Sequence, residues 1–287
     1  MKTLKLFLSL FLVSTLATMS AQNNVTIKTT KLSDNVYMLV GQGGNIGVSV
    51  GDDGMFVIDD QFAQLTPKIL DAIKALSDKP IQFVVNTHFH GDHTGGNANM
   101  KKAGAKIIAH DNVYKRLLEG NKTDGLPVIT FNDKLSVYIN GEQVLVFHVD
   151  NAHTDGDAML YFTKSNVLHT GDNYFHKRYP YIDVNSGGSI DGYIDAVKMA
   201  LMVIDENTKI IPGHGELSNK AEYASFLEML TKLRANVQAE IDKGKTENDV
   251  VANTAITKEY DDLNYSWNFI TSEKIRRAIY ISLSTMD

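Results

Sequence analysis

The residues able to do chemistry crowd into one stretch, Asn86-Thr87-His88-Phe89-His90-Gly91-Asp92-His93-Thr94-Gly95-Gly96-Asn97. Four side chains that bind metal ions, His88, His90, Asp92 and His93, fall within six positions just after the apolar run 81–85. His88 and His90 are two apart, so an extended loop turns both to one side. Asp92 and His93 lie beyond Gly91, where the backbone can bend and aim a second pair at a neighbouring point. Such a divided set suits two metal ions about 3.5 to 4 Å apart, an arrangement that serves hydrolysis. The competing reading is a polar cap over a strand end. It would desolvate three imidazoles and a carboxylate without a shared cation, which is costly.

Further ligands are expected from the ends of later strands. His153 lies in Asp150-Asn151-Ala152-His153-Thr154, just past an apolar strand that ends at Val149. Asp172 closes His169-Thr170-Gly171-Asp172, and His214 stands between glycines in Pro212-Gly213-His214-Gly215. The chain has no cysteine, so any metal is held by His and carboxylates, and neither a disulfide nor a lipid-anchor cysteine is available.

The elements that must position these residues alternate in type. Short strands are expected at 25–30, 36–40, 46–50 and 55–58, with glycines marking the turns. Thr66-Pro67 supplies an N-cap and first-turn proline for a helix whose Leu65, Ile69, Ile73 and Leu76 share a face. The strand 81–85 delivers the His-rich loop, and 106–109 repeats it after a helical stretch. Asp111 is expected to cap the next helix, with Val113, Leu117 and Leu118 inward. The second half reopens with strands at 128–131, 135–139 and 143–149, and Asn140-Gly141 is a strong two-residue hairpin signal. Strands at 158–162, 167–169 and 209–211 follow, with helices at about 189–204, from 218 to Gly244, and at about 271–283. Strands then helices in each half suggest two βα units packed sheet on sheet with helices outside.

The first 21 residues stand apart. Lys2 and Lys5 precede an apolar run over 6–13, then small residues lead to Ser20-Ala21, the pattern of a secretory signal peptide. The chain is therefore expected to be exported, periplasmic or secreted, with residues 22–287 forming a single domain. No later apolar run is long enough for a membrane span, so no stable membrane anchor is expected. A hydrophobic content of 43% supports a sizeable core, and a formal charge of −6 without a basic block argues against a nucleic-acid partner. A small-molecule substrate remains.

With Asp59 in Val57-Ile58-Asp59 joining the stretch 87–97, His153, Asp172 and His214 in order, the sequence resembles the metallo-β-lactamase superfamily over essentially its whole mature length. The resemblance implies an α+β fold, a four-layer αββα sandwich with a dinuclear zinc (Zn2+) site at one edge of the two sheets. It implies His88, His90 and His153 on the first ion, Asp92, His93 and His214 on the second, and Asp172 bridging them. Asp59 matches the carboxylate that steadies the metal loop through hydrogen bonds. The expected reaction is attack on a carbonyl by a metal-held hydroxide, with Asp92 also orienting that hydroxide or passing on its proton.

The segment Asn173-Tyr174-Phe175-His176-Lys177-Arg178-Tyr179-Pro180-Tyr181 directly follows Asp172 and is a candidate overhang. Tyr174 and His176 are candidate substrate contacts, Lys177 or Arg178 could meet a carboxylate, and the segment's aromatic rings could form a wall. The alternative is a solvated loop with packed rings. His110 and His148 read as ordinary core or surface histidines, His169 as a support for Asp172, and Trp267 as packing.

Within the family, one subclass of exported β-lactamases uses cysteine where Asp172 stands. A bridging Asp instead resembles thioesterases of the glyoxalase II type and lactonases. Export argues against glutathione thioesters, so a cyclic amide such as a β-lactam is expected first, with lactonase or thioesterase activity as the alternative. A diiron oxidoreductase would typically carry Glu at the position of His90, and a nuclease would want basic surface. A non-catalytic metal-binding module fits the full ligand set poorly.

Overall fold

The computed structural model describes residues 25–284, so the expected signal peptide lies outside the described residues. Seven strands form the first sheet: β1 (Lys28–Lys31), β2 (Val36–Val40), β3 (Ile46–Gly51), β4 (Gly54–Ile58), β5 (Ile81–Val85), β6 (Lys106–His110) and β7 (Ile129–Phe131), in that spatial order. The first four pair antiparallel as a meander, and β4 to β7 run parallel with helices between them. The second sheet holds β8 (Lys134–Ile139), β9 (Glu142–His148), β10 (Ala158–Phe162), β11 (Val167–His169), β12 (Lys209–Ile211) and β13 (Ser218–Asn219). Its order is β13-β12-β11-β10-β9-β8, with only the β11–β12 pair parallel.

Alternation of side chains assigns the layers. Along β4, Phe56 and Ile58 point into the core between the sheets, where they meet Val144, Leu160 and Phe162. Met55 and Val57 point the other way, onto Ile69 and Ile73 of the Thr66–Lys74 helix. A strand covered on both faces reads as a continuous apolar run, as Gly54–Ile58 does. Behind the second sheet, Tyr223, Phe226, Leu230 and Leu233 of the Lys220–Asp242 helix pack with Ile194 and Val197 of the Ile190–Val203 helix. The four layers are therefore αββα, as expected.

Asn140 and Gly141 take φ of 54° and 72° between β8 and β9, the positive pair a type I′ hairpin requires. Several local expectations are corrected. Thr66 is the first residue of its helix and not the cap, because a 3₁₀ turn at Ala63–Leu65 feeds directly into it. The cap of the Asp111–Glu119 helix is His110, whose ring accepts the Asn112 N–H, and Leu118 is exposed, leaving Val113 and Leu117 inward. Ser218 belongs to a two-residue strand, and Asn219 caps the long helix through the Glu222 N–H. The short helices Glu247–Ala252 and Lys258–Asp261 are additional to the expected elements, the first opened by a capping box between Thr246 and Asp249.

Candidate metal centre

The candidate residues sit where central strands end. Asp59 follows β4, the His-rich loop follows β5, Asp172 follows β11 and His214 follows β12, while His153 lies in the β9–β10 connection. The ligand atoms of His88, His90, His153 and Asp172 lie within 4.8 Å of one another, and those of Asp92, His93 and His214 form a second such group. The rings of His88, His90 and His153 are 4.6 to 4.9 Å apart, edge to edge around a common point. Asp172 stands between the groups. Its Oδ2 is 3.9 Å from His88 Nε2 and 3.8 Å from His153 Nε2, while Oδ1 is 3.1 Å from His93 Nε2 and 3.4 Å from His214 Nε2. Asp92 Oδ2 lies 3.3 Å from His214 Nε2.

Hydrogen bonds behind the rings decide which nitrogens face inward. Asp59, at φ 62°, turns its carboxylate back under the loop, where it accepts the Thr87 N–H and hydroxyl, each at 2.8 Å, and His93 Nδ1–H at 2.7 Å. Because the one Thr87 hydroxyl hydrogen goes to Asp59, His88 Nδ1 must donate to that hydroxyl at 3.1 Å, leaving its Nε2 lone pair inward. His90 is held the other way round. Its Nε2 faces Asp183 Oδ2 at 3.0 Å, so Nδ1 is the free nitrogen. Asp157 accepts the backbone N–H groups of His153 and Thr154 at 2.7 and 2.9 Å and fixes that turn. His169 makes no direct contact with Asp172, but its ring meets Asn45 O at 3.0 Å and accepts the N–H of the preceding Gly171 at 3.1 Å.

Two glycines let backbone close on the cluster. A Cβ at Gly213 would fall 2.1 Å from Asp172 Oδ1, and one at Gly44 would fall 2.1 Å from His93 Cε1. Any side chain there would push a candidate ligand aside.

The electrostatics describe a concentration of negative charge seeking a cation. Burial pulls His93 down, but Asp172, Asp92 and Asp59 together raise it well above the ordinary histidine value. Burial likewise opposes, yet Asp172 and Asp92 raise His214 to about 9. Burial would lift Asp172, but His93, His214 and His88 hold it well below the usual carboxylate range. His88 is lowered by burial and by its His neighbours.

The donor set fits metal ions on an observation independent of any resemblance. His88 Nε2, His93 Nε2, His153 Nε2 and Asp172 Oδ1 are buried with no hydrogen-bond partner. Buried polar atoms are nearly always paired, and orphans converging on one spot indicate a shared ion. Imidazole and carboxylate donors suit a divalent cation.

A cavity of about 520 Å³ opens over the cluster, reached by His90, Asp92, Asp172 and His214 and walled by Phe62, Phe175, Tyr181, Trp267 and Phe269. Of the candidate substrate residues, only Arg178 lines it, with its guanidinium 5.5 Å from the Trp267 ring centroid. Tyr174 is buried, its hydroxyl on Ser218. His176 and Lys177 face Glu222 at 3.3 and 3.2 Å, outside this cavity. Trp267 packs, its Nε1–H donating to Tyr179 O at 3.0 Å, and also forms cavity wall. Sequence reasoning passed over Asp183, Asp157 and Phe269, whereas Tyr181 and Phe175 belong to the segment whose aromatic rings are expected to form a wall. Tyr181 stacks on the His90 ring at 5.7 Å.

Comparison with known proteins agrees with this geometry. The chain is 31% identical over 192 residues to a hydroxyacylglutathione hydrolase of Pelagibacter ubique, covering 64% of this chain and 67% of that one. It is 26% identical over 230 residues to a metallo-β-lactamase type 2 of Bacteroides fragilis, covering 75% and 90%. A solved metallo-β-lactamase from Pontibacter korlensis shares the fold with a TM-score of 0.65 at 19% identity, over 72% of this chain and 99% of that one. The family model of the metallo-β-lactamase superfamily matches residues 30–214, a span that contains the whole cluster, and the chain belongs to that superfamily of metallo-hydrolases.

Proposed function

We propose that the chain is a zinc hydrolase that holds two ions and opens a cyclic amide of the β-lactam kind. The observation that carries this reading is Asp172, which offers one carboxylate oxygen to each of two donor groups. His88, His90 and His153 would hold one ion, Asp92, His93 and His214 the other, and Asp172 both. Nitrogen and oxygen donors without thiolate are compatible with zinc. When bound, such a pair supplies Lewis acidity that brings a water's pKa to about 7 and polarises a carbonyl.

The chain's own residues do the rest. Asp92 is the most exposed of the cluster's carboxylates, at 26%, and faces the cavity. Its Oδ2 can accept the proton of the attacking water and return it to the leaving nitrogen. Asp59, Thr87 and Asp183 hold the imidazoles in their working tautomers. Arg178 meets an anionic group on the substrate at the cavity wall, and the aromatic walls keep solvent from the reacting carbonyl.

A second reading, opening of a lactone or thioester, is favoured by two observations: Asp172 stands where a thiolate would mark one β-lactamase subclass, and a hydroxyacylglutathione hydrolase is among the relatives. The Lys2–Ala21 composition supports export of residues 22–287 as one domain, acting on a small-molecule substrate with neither a nucleic acid nor a membrane anchor. Zinc-loaded protein assayed against a chromogenic cephalosporin, an acyl-homoserine lactone, a thioester and a phosphodiester tests the order. Cephalosporin turnover is expected to lead. A lead by the lactone or thioester would establish the second reading, and phosphodiester cleavage alone would overturn both.

A further inference from the structure

A second cavity, of about 280 Å³, lies beside the one over the metal cluster, and Tyr181 and Phe269 line both. Their rings meet edge to face at 5.0 Å, so the two cavities share a partition two aromatic rings thick. The floor of the second cavity is apolar, made by the buried Ile182, Ile270 and Ile275 with the partly buried Ala278 on the Ser272–Ser284 helix. That helix lies beyond residues 30–214, the span the superfamily model matches.

Its charged groups are already engaged. Asp183 accepts from His90, Lys274 donates to the Phe269 carbonyl at 2.8 Å, and Arg277 is paired with Glu247. Asp183 and Arg277 are thus paired, the Lys274 ammonium keeps its charge at the exposed rim, and the floor between them rewards apolar surface. The Lys274 ammonium also lies 5.3 Å from the Phe269 ring centroid, which steadies the partition from the solvent side. A volume of about 280 Å³ holds roughly nine groups the size of a water molecule at about 30 Å³ each. That is the bulk of a medium-length methylene chain, and a flexible chain passes over a two-ring partition where a rigid ring system does not.

The geometry points to a subsite for a linear aliphatic arm: the substrate is a carbonyl compound whose reacting group sits at the metal cluster and whose unbranched arm crosses Tyr181 and Phe269 to place about six to nine carbons in the second cavity. This assignment rests on the hydrolase reading above and adds to its carbonyl substrate an aliphatic side arm. Tyr181 stacks on His90 and its hydroxyl is hydrogen-bonded to Asp183. An arm that packs on Tyr181 thus presses on the group that orients His90, tying occupancy of the subsite to the geometry of the reacting centre.

Straight-chain carboxylic acids of about four to eighteen carbons, titrated into the metal-loaded protein, test the subsite without turnover. Trp267 is the only tryptophan and lies 5.7 Å from Phe269, so its fluorescence reports binding, with calorimetry as a second readout. Each methylene that reaches the second cavity is expected to tighten binding about three- to fourfold, and the gain ends once that cavity is full. Ala278→Phe, which fills the cavity from its helix side, is expected to abolish that gain. Asn185→Trp, at the exposed rim, is expected to do the same should the first variant fail to fold. Affinity independent of chain length would overturn the subsite, as would a gain that survives in both folded variants. Because the probes are not hydrolysed, a failed substrate panel with a normal chain-length series would sink the hydrolase reading alone.

Discussion

Asp59 Oδ2 lies 2.7 Å from His93 Nδ1, and both residues are fully buried. The contact forces the His93 proton onto Nδ1 and leaves Nε2 as the atom facing Asp172 at 3.1 Å. Asp59→Asn replaces a carboxylate that accepts three hydrogen bonds with a group able to accept fewer and prone to donate. Loss of such a support typically lowers metal affinity or activity 10- to 100-fold. The variant should retain its fold, bind the second ion about tenfold or more weakly by competition with a chromophoric chelator, and lose activity in parallel. Two tightly held ions per chain in Asp59→Asn would refute the role.

Asp183 should behave alike toward the other ion. It is 93 residues from His90 in sequence yet accepts from its ring at 3.0 Å. Burial lifts Asp183, but hydrogen bonds from His90 and Ser186 outweigh that and bring it down to about 2, so it accepts as a carboxylate throughout the neutral range. Asp183→Ala frees His90 to rotate or change tautomer, and kcat is expected to fall about 10- to 100-fold with loss of one ion. Unchanged metal content by elemental analysis would contradict this.

Removal of the metal is the most direct test of the cluster. A chelator should abolish turnover and zinc should restore it, and His88→Ala should lose metal as well as activity. Chelator-resistant turnover would sink the zinc assignment. Asp172→Ala should be more damaging than any single His variant, because both donor groups lean on its carboxylate.

Arg178 makes a separable prediction. Its guanidinium lies over Trp267 at the cavity wall, whereas Lys177 is spent on Glu222. Arg178→Ala should raise KM about tenfold for a carboxylate-bearing substrate and leave kcat little changed, with Lys177→Ala near wild type. Equal effects on an anionic substrate and its neutral ester would place Arg178 in packing.

What the sequence disclosed and what it hid follow from the range of the interactions. Thr87 to Asn97 was legible because its donors are contiguous, and Asp172 and His214 because each follows a short apolar strand. Asn140-Gly141 was legible because its backbone demand is local. Asp183 and Asp157 were not, since an acidic loop residue carries no mark of the imidazole or amide it will meet across the fold. Proximity in sequence misled at Tyr174, His176 and Lys177. They follow Asp172 closely, but the chain turns their side chains toward the core and Glu222, leaving Phe175, Arg178 and Tyr181 of that segment on the cavity. The second half of the cavity wall comes from Trp267 and Phe269, which only tertiary packing brings there.

The His110 and His148 rings stack at 3.9 Å and 9° where β6 and β9, one from each sheet, come to their ends. Burial and the neighbouring His148 lower the pKa of His110, and its Nδ1 accepts the Asn112 N–H that caps the following helix. A proton on that nitrogen would cost the cap. With the folded pKa below the ordinary histidine value of about 6.5, the unfolded chain binds the proton first as pH falls. The stabilisation is therefore complete above about pH 6.5 and is lost progressively below it. The melting temperature of metal-loaded protein should fall between pH 7 and pH 5, and His110→Asn, which can still cap through its side-chain oxygen, should show a shallower fall over the same range. The comparison of slopes isolates the stacked pair from the other histidines, which lie away from this site. Parallel melting curves would show that the stacked pair contributes nothing to acid sensitivity.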